Sequence, residues 1–293
     1  MEIFFEILEI FLDAVFLFIV PVFVTLIKVN KVPHIYLTCI KASIEAAYAI
    51  MEVYRSPISV KIKDDGSPVT EADYRSSKII SKHLDPLNIP ITGEERTKND
   101  YSIRSKWEEN WSVDPLDGTK MFILKNDEFS INIAHIKDGV PIFGLICSPV
   151  EKKIMIGGKS LGVFIFNFED AENSLNWKEL KPRQKVNSPL VITCSRSFTA
   201  SKYPLIKALK TEFGDITLLK KGSALKFFDL ALGNADVYLR YAPTMEWDIA
   251  AGQAILSELG GEVRSLINNE ILTYNKKSLF NPNFIVKTKA TLN

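Results

Sequence analysis

Histidine and cysteine are scarce in this chain, three of each in 293 residues. Cys39, Cys147 and Cys194 are odd in number, far apart and set in apolar runs. That pattern argues against a disulfide framework or a thiolate zinc site and favours a reducing compartment. His34, His83 and His135 lack metal-ligand spacing, which argues against a site built on imidazole. An excess of one charge is missing too. The 36 basic and 35 acidic residues nearly cancel, so the whole-molecule field offers nothing for wrapping nucleic acid, and any anionic ligand must be met locally. There is no internal repeat and no low-complexity tract.

What is present is enough apolar residue, 46% against 24% charged, for a full core in one large domain or two lobes. The first 31 residues differ from the rest. Glu2, Glu6, Glu9 and Asp13 lie on one narrow face of a helix that is otherwise apolar. The uncharged run Ala14–Ile27 contains Pro21 and is shorter than the ~20 residues a spanning helix needs. It lacks the basic start and cleavage site of a signal peptide. Three readings stand: membrane association through residues 1–27, a helix packed on the protein or its twin in a homodimer, and translation from an upstream start that is not normally used. Lys28, Lys31 and Lys41 would keep the downstream domain cytoplasmic, at the inner face of the membrane, if the run inserts.

Further on, apolar residues at helical spacing predict a long helix over 35–54, and Ser59–Lys63 alternates like a strand before an Asp-Asp-Gly-Ser-Pro turn. A second helix begins at Thr70, with Asp73 placed as the acidic half of a capping box. A short apolar strand ends in Gly93-Glu94-Glu95, and exposed glutamates are ordinary there. Lys137-Asp138-Gly139 between two apolar arms is the strongest hairpin signal. The polar stretch 169–187 divides the chain into lobes 32–168 and 169–293, with 1–31 as an extension. Strands then alternate with helices, which predicts an α/β layer.

The most informative run is Trp111–Phe122, WSVDPLDGTKMF. Asp114 and Asp117 flank a Pro-Leu pair, and Gly118-Thr119 follow at a helix start, equipment for holding hard cations against a phosphate. Asp-Pro and Asp-Gly are also turn dipeptides, so a plain surface turn stays open on this run alone. Asp248, ahead of the helical pattern IAAGQAILSELGG, reads either as an N-cap or as a rigidly held metal ligand.

Gly93-Glu94-Glu95, Asp114-Pro115-Leu116-Asp117-Gly118-Thr119 and Trp247-Asp248 with its Ala-Ala-Gly continuation resemble the lithium-sensitive, magnesium-dependent phosphomonoesterases. That superfamily includes inositol monophosphatase, fructose-1,6-bisphosphatase and the 3'(2'),5'-bisphosphate nucleotidases. The resemblance covers roughly residues 35–285. Lys120, the Gly222–Phe227 run and Ser195-Arg196-Ser197 are similar to the CysQ-type nucleotidase branch. Met121, where glutamate is common, and Phe198, where histidine is common, depart from it.

The resemblance implies an α/β (α+β) layered αβαβα sandwich and two or three Mg²⁺ per site. Glu94, Asp114 and the Leu116 carbonyl would hold one ion, and Asp114, Asp117 and Asp248 a second. Thr119 and Asp73 would form the catalytic relay. Glu94, Leu116, Asp117, Gly118, Thr119 and Asp248 would surround the substrate phosphate, with Arg196, Ser223 and Lys226 meeting the rest of a nucleoside bisphosphate. Solvated surface roles for Arg196 and Lys226 are the alternative. The implied activity is release of the 3'-phosphate of adenosine 3',5'-bisphosphate. The rivals are the same chemistry on inositol monophosphate or another sugar phosphate, and a non-catalytic membrane-tethered regulator.

Overall fold

The computed structural model describes residues 32–200 and 203–292. The hydrophobic extension expected over 1–31, and with it attachment through 1–27, lies outside the described residues. Among the described residues no helix is long and apolar enough to cross a membrane.

Pro33 opens helix α1, His34–Tyr54. Pro33 is its N-cap, where a missing N–H removes no intrahelical bond. Tyr36, Cys39, Ile40, Ser43, Ala47 and Ile50 form its buried stripe. Strands β1 (Val60–Ile62) and β2 (Pro68–Thr70) make an antiparallel hairpin over the Asp-Asp-Gly turn. Helix α2, Glu71–Leu84, follows Thr70 and packs on α1.

The chain then lays down β3 (Ile91–Gly93), the short helix α3 (Tyr101–Arg104), β4 (Glu109–Asp117), the short helix α4 (Thr119–Ile123), β5 (Ser130–Lys137), β6 (Val140–Ser148), β7 (Lys153–Gly158), β8 (Gly162–Asn167) and β9 (Lys178–Leu180). Strands β3 to β9 form one seven-stranded sheet in sequence order, antiparallel except for β3 against β4. The β5–β6 hairpin turns at Asp138-Gly139 as expected, with both residues at positive φ. The sheet takes its last strand from beyond residue 168, so it gathers residues from both sides of the polar stretch.

After it come β10 (Leu190–Cys194), α5 (Pro204–Phe213), β11 (Ile216–Lys220), α6 (Leu225–Leu232), β12 (Val237–Arg240), β13 (Thr244–Met245), α7 (Glu246–Glu258), β14 (Glu262–Ser265), β15 (Phe280–Asn281) and β16 (Phe284–Lys287). A five-stranded mixed sheet runs in the order β11-β10-β12-β16-β14, with β10 parallel to both of its neighbours. The paired β13 and β15 stand apart from it.

Three apolar clusters show the layering. The first joins α1 and α2 to one face of the large sheet, the second joins its other face to α6, α7 and the small sheet, and the third lies between the small sheet and α5. The order is therefore α, β, α, β, α, as the sequence resemblance implies. Helix α7 lies against the large sheet, and at Gly144 the approach leaves no room for a side chain: a Cβ there would stand 2.1 Å from the Ala251 carbonyl oxygen.

Candidate active site

The central sheet aims the carboxylates. Strand β4 pairs with β5 in regular register as far as Asp114 opposite Asn132, and the next pair is Asp117 opposite Ser130. Three steps on β4 match two on β5, so one extra residue is accommodated at Pro115-Leu116. Proline cannot donate to the ladder, and such a bulge turns its neighbours' side chains out of the regular alternation. Past the end of β3, the Glu94 N–H still donates to the Val113 carbonyl at 3.2 Å, which sets Glu94 beside Asp114.

Asp114 is buried, while Asp117 and Asp248 keep partial exposure; their carboxylate oxygens come within 4.8 Å of one another. Asp114 Oδ1 accepts the Leu116 N–H at 3.0 Å. Asp117 Oδ2 accepts from the Ala224 N–H at 2.5 Å, Asn132 Nδ2 at 3.2 Å and Ser130 Oγ at 3.4 Å. Asp248 is not the N-cap of α7. Met245 holds that position, and Asp248, three residues on, accepts the Met245 N–H at 2.9 Å. The reciprocal bond fixes the carboxylate at the first turn, where the helix dipole favours negative charge.

The cluster is electrostatically unhappy by itself. Burial, then the charges of Glu94, Asp117 and Asp248, pushes the Asp114 carboxyl well above the ordinary range. Burial, followed by the Asp117 charge, raises Asp248 to about 8. Asp117 is also raised by burial, although Lys226 opposes the rise. Three oxygen donors that destabilise one another and fail to find enough cationic side chains match what a small, hard divalent cation requires.

Glu94 stands slightly apart. Lys63, just before the β1–β2 turn, donates to Glu94 Oε1 at 2.8 Å and also to Glu95. Neither glutamate is simply solvated, since their side chains are 26% and 6% exposed. Burial works against the Lys63 charge, but these bonds raise its pKa. Sequence reasoning took Lys63 only as the end of a strand and missed this role.

Asp73 does two things at once. Its Oδ2 accepts the Thr70 N–H at 2.8 Å and the Thr70 hydroxyl at 2.7 Å, completing the capping box of α2. Its Oδ1 accepts the Thr119 hydroxyl at 3.1 Å. Burial lifts the Asp73 carboxyl to about 6 against the lowering effect of the Thr70 bonds. Thr119 Oγ1 also lies 3.3 Å from the Leu116 carbonyl oxygen. Gly118 precedes it at φ 94°, where a Cβ would meet the Glu128 carbonyl oxygen at 2.9 Å. The first N–H groups of this turn have no intrahelical acceptor.

Lys63, Glu94, Asp114, Asp117, Gly118, Thr119 and Asp248 line one cavity of about 760 Å³, together with Lys120, Met121, Ser195, Arg196, Lys221, Ser223, Lys226 and Arg240. The expected leaving-group residues meet different fates there. Lys226 is no solvated surface residue: it is 4% exposed, and its ammonium donates to the Ser223 carbonyl at 2.5 Å and to Lys221 at 3.3 Å. Burial lowers it to about 8 against the pull of Asp117. Ser223, at positive φ, turns its hydroxyl onto the Leu225 N–H at 3.3 Å. Arg196 is half exposed and forks onto Glu128. Phe198, where the resemblance led one to expect histidine, is buried and stacks on Tyr203 at 4.9 Å, away from the pocket lining. Glu128, Ser130 and Asn132 are the remaining polar supports that the sequence did not signal.

A model of the inositol monophosphatase family matches residues 33–292. The 3'(2'),5'-bisphosphate nucleotidase CysQ of Buchnera aphidicola is 38% identical over 226 residues, 75% of this chain and 80% of that protein. The protein of the same name from Escherichia coli K12 is 33% identical over 249 residues, 82% and 94% of the two chains. The crystal structure of CysQ from Bacteroides thetaiotaomicron, described as a bacterial member of the inositol monophosphatase family, superposes with a TM-score of 0.74 at 36% identity, covering 86% of this chain and 96% of that one.

Proposed function

The chain belongs to the inositol monophosphatase family, and from that premise we propose that it hydrolyses the 3'-phosphate of adenosine 3',5'-bisphosphate to AMP and phosphate. The observation that carries this reading is one cavity lined by the three-carboxylate cluster and Thr119, which is bonded to Asp73 behind it, and also by Arg196, Lys120 and Lys221. A substrate with two phosphates needs cationic groups beyond those at the cleaved bond. Relatives above 30% identity that carry the name bisphosphate nucleotidase support the same choice.

Glu94, Asp114 and the Leu116 carbonyl would hold one Mg²⁺, and Asp114, Asp117 and Asp248 a second, two or three ions per site being the proposal. Magnesium supplies Lewis acidity toward the phosphoryl oxygens and a bound water of lowered pKa. The protein's own groups do the positioning. Because Thr119 gives its proton to Asp73 Oδ1, its oxygen is left as an acceptor for a proton from the attacking water. Asp73, lifted to about 6, is a base matched to neutral pH. Gly118 and the N–H groups of the following turn would receive the phosphate. Asn132, Ser130 and the Ala224 N–H hold Asp117 in place.

We keep the division into lobes 32–168 and 169–293, with all but one of the metal-side carboxylates on the first and Arg196, Ser223 and Lys226 on the second. Cys39, Cys147 and Cys194 are buried and unpaired, which supports work in a reducing, cytoplasmic setting. The test is phosphate release by the full chain with Mg²⁺ from adenosine 3',5'-bisphosphate and from inositol monophosphate. Faster turnover of the bisphosphate is expected. Faster turnover of the inositol ester would transfer the proposal to the sugar phosphates.

A further inference from the structure

Three parts of the pocket meet on one residue that lies between α4 and β5. Glu128 Oε2 accepts both Arg196 Nε, at 2.8 Å, and the Gly222 N–H, at 2.8 Å, while Oε1 accepts Arg196 Nη2 at 2.6 Å. The backbone of Glu128 is used as well. A Cβ on Gly222 would come within 3.0 Å of its carbonyl oxygen and 2.9 Å of Met121 Cγ, and a Cβ on Gly118 within 2.9 Å of that same oxygen. Gly118 adjoins Asp117, and Gly222 stands two residues before Ala224, whose N–H donates to Asp117. Glu128 thus touches the segment that carries the metal-side carboxylate, the segment that supports it, and the arginine at the far side.

An exposed Arg–Glu pair contributes little to stability, so stability is a poor reason for this arrangement. The Glu128 side chain is only 16% exposed while Arg196 is 50% exposed, and all three donors converge on the sheltered partner. What the fork fixes is direction. It uses Nε and one edge of Nη2, and among the described residues Nη1 has no protein acceptor. An arginine held this way does not lose its rotamer freedom on meeting a phosphate, because that freedom is already gone.

We infer that Glu128 is a specificity-determining positioning residue: it holds Arg196 so that the free edge of the guanidinium receives the second phosphate of a nucleoside bisphosphate, in fixed register with the phosphate being removed. The inference rests on the bisphosphate reading above. Lys120 and Lys221 line the same pocket, Lys221 with its ammonium 3.3 Å from the Asp229 carboxylate.

The test compares KM for adenosine 3',5'-bisphosphate with KM for adenosine 3'-monophosphate, at saturating Mg²⁺, in the full chain and in Glu128→Gln, Arg196→Gln and the double variant. The glutamine oxygen can still take the Gly222 N–H, but its NH₂ group faces Arg196. The expected result is a rise of about tenfold in the bisphosphate KM, relative to the monophosphate KM, in each single variant. The double variant should lose no more than either single one, because both remove one interaction. Equal shifts for the two esters, or additive losses, would make Glu128 a merely structural support and overturn the inference. Because Arg196 is half exposed, its variant tests the idea even if Glu128→Gln folds poorly. If the unaltered chain releases no phosphate from the bisphosphate, the functional reading falls and this inference with it. Turnover by the unaltered chain with an unchanged KM ratio in the variants sinks the inference alone.

Discussion

Replacing Asp248 with asparagine should stabilise the metal-free protein while destroying its response to magnesium. The reason is the raised carboxyl. In the unfolded chain Asp248 ionises near its ordinary value of 3.8, and in the fold it ionises at about 8. Between those two values the unfolded state has already lost the proton that the folded state keeps. Stability from this group is therefore complete at low pH and declines as pH rises toward 8. One unit of pKa corresponds to about 1.36 kcal/mol, so the ceiling of the effect at pH 8 is roughly 5 kcal/mol. Asp248 keeps some contact with the open pocket, and solvent screening brings the expected gain down to about 1–3 kcal/mol. Asparagine retains an oxygen for the Met245 N–H, so the helix start is preserved. Urea unfolding in EDTA at pH 8 measures the gain, and the same titration at pH 5 should show it shrink. Adding Mg²⁺ at a hundred times its dissociation constant should stabilise the unaltered protein by about 2.7 kcal/mol and the variant by far less. A variant less stable than its parent in EDTA, or equally stabilised by Mg²⁺, would refute the argument that these carboxylates are held together against their mutual repulsion for an ion.

Thr119→Ala should lower kcat by about 10²–10⁴, the range of a lost proton-transfer partner, with little change in unfolding midpoint. The logarithm of kcat/KM should fall with pH below about 6, where Asp73 takes up its proton, and Asp73→Asn should remove that limb of the profile. Asp73→Ala should in addition cost about 1 kcal/mol of stability, from the broken capping box, measurable by thermal unfolding. Gly144→Ala should destabilise the fold by about 1–3 kcal/mol or more, because its Cβ would press on the Ala251 carbonyl and α7 would have to lift from the sheet; an unchanged midpoint would mean the helix does not sit flush there.

The sequence made the metal side legible because each of its residues carries a local signal. Asp-Pro-Leu-Asp-Gly-Thr follows an apolar strand pattern, Glu94 ends another, and Asp248 opens a helical one. Those patterns survive folding because strand and helix periodicity, together with proline and glycine chemistry, are short-range properties. The double duty of Asp73 was legible by two routes: Thr70-x-x-Asp73 spells the capping box locally, whereas the pairing with Thr119 came from the resemblance alone, because that bond joins residues 46 apart in sequence and depends on how α2 meets β4.

The far side of the pocket was harder to read because its polar groups are assigned by tertiary neighbours. Lys226 has the composition of a surface residue and ends buried, since α6 lies between the two sheets and its ammonium finds the Ser223 and Lys221 carbonyls. Phe198, being apolar, turns into the cluster under α5. Glu128 has no pattern of its own; nothing short of the folded chain brings Arg196 and Gly222 to it across 68 and 94 residues. This asymmetry follows from what each side must do. A cluster of carboxylates must be placed by rigid elements that start and stop at fixed residues, and element boundaries are written locally. A pocket wall that selects among phosphate esters needs only a cation held in the right direction, and any sheltered carboxylate that the fold delivers can do the holding.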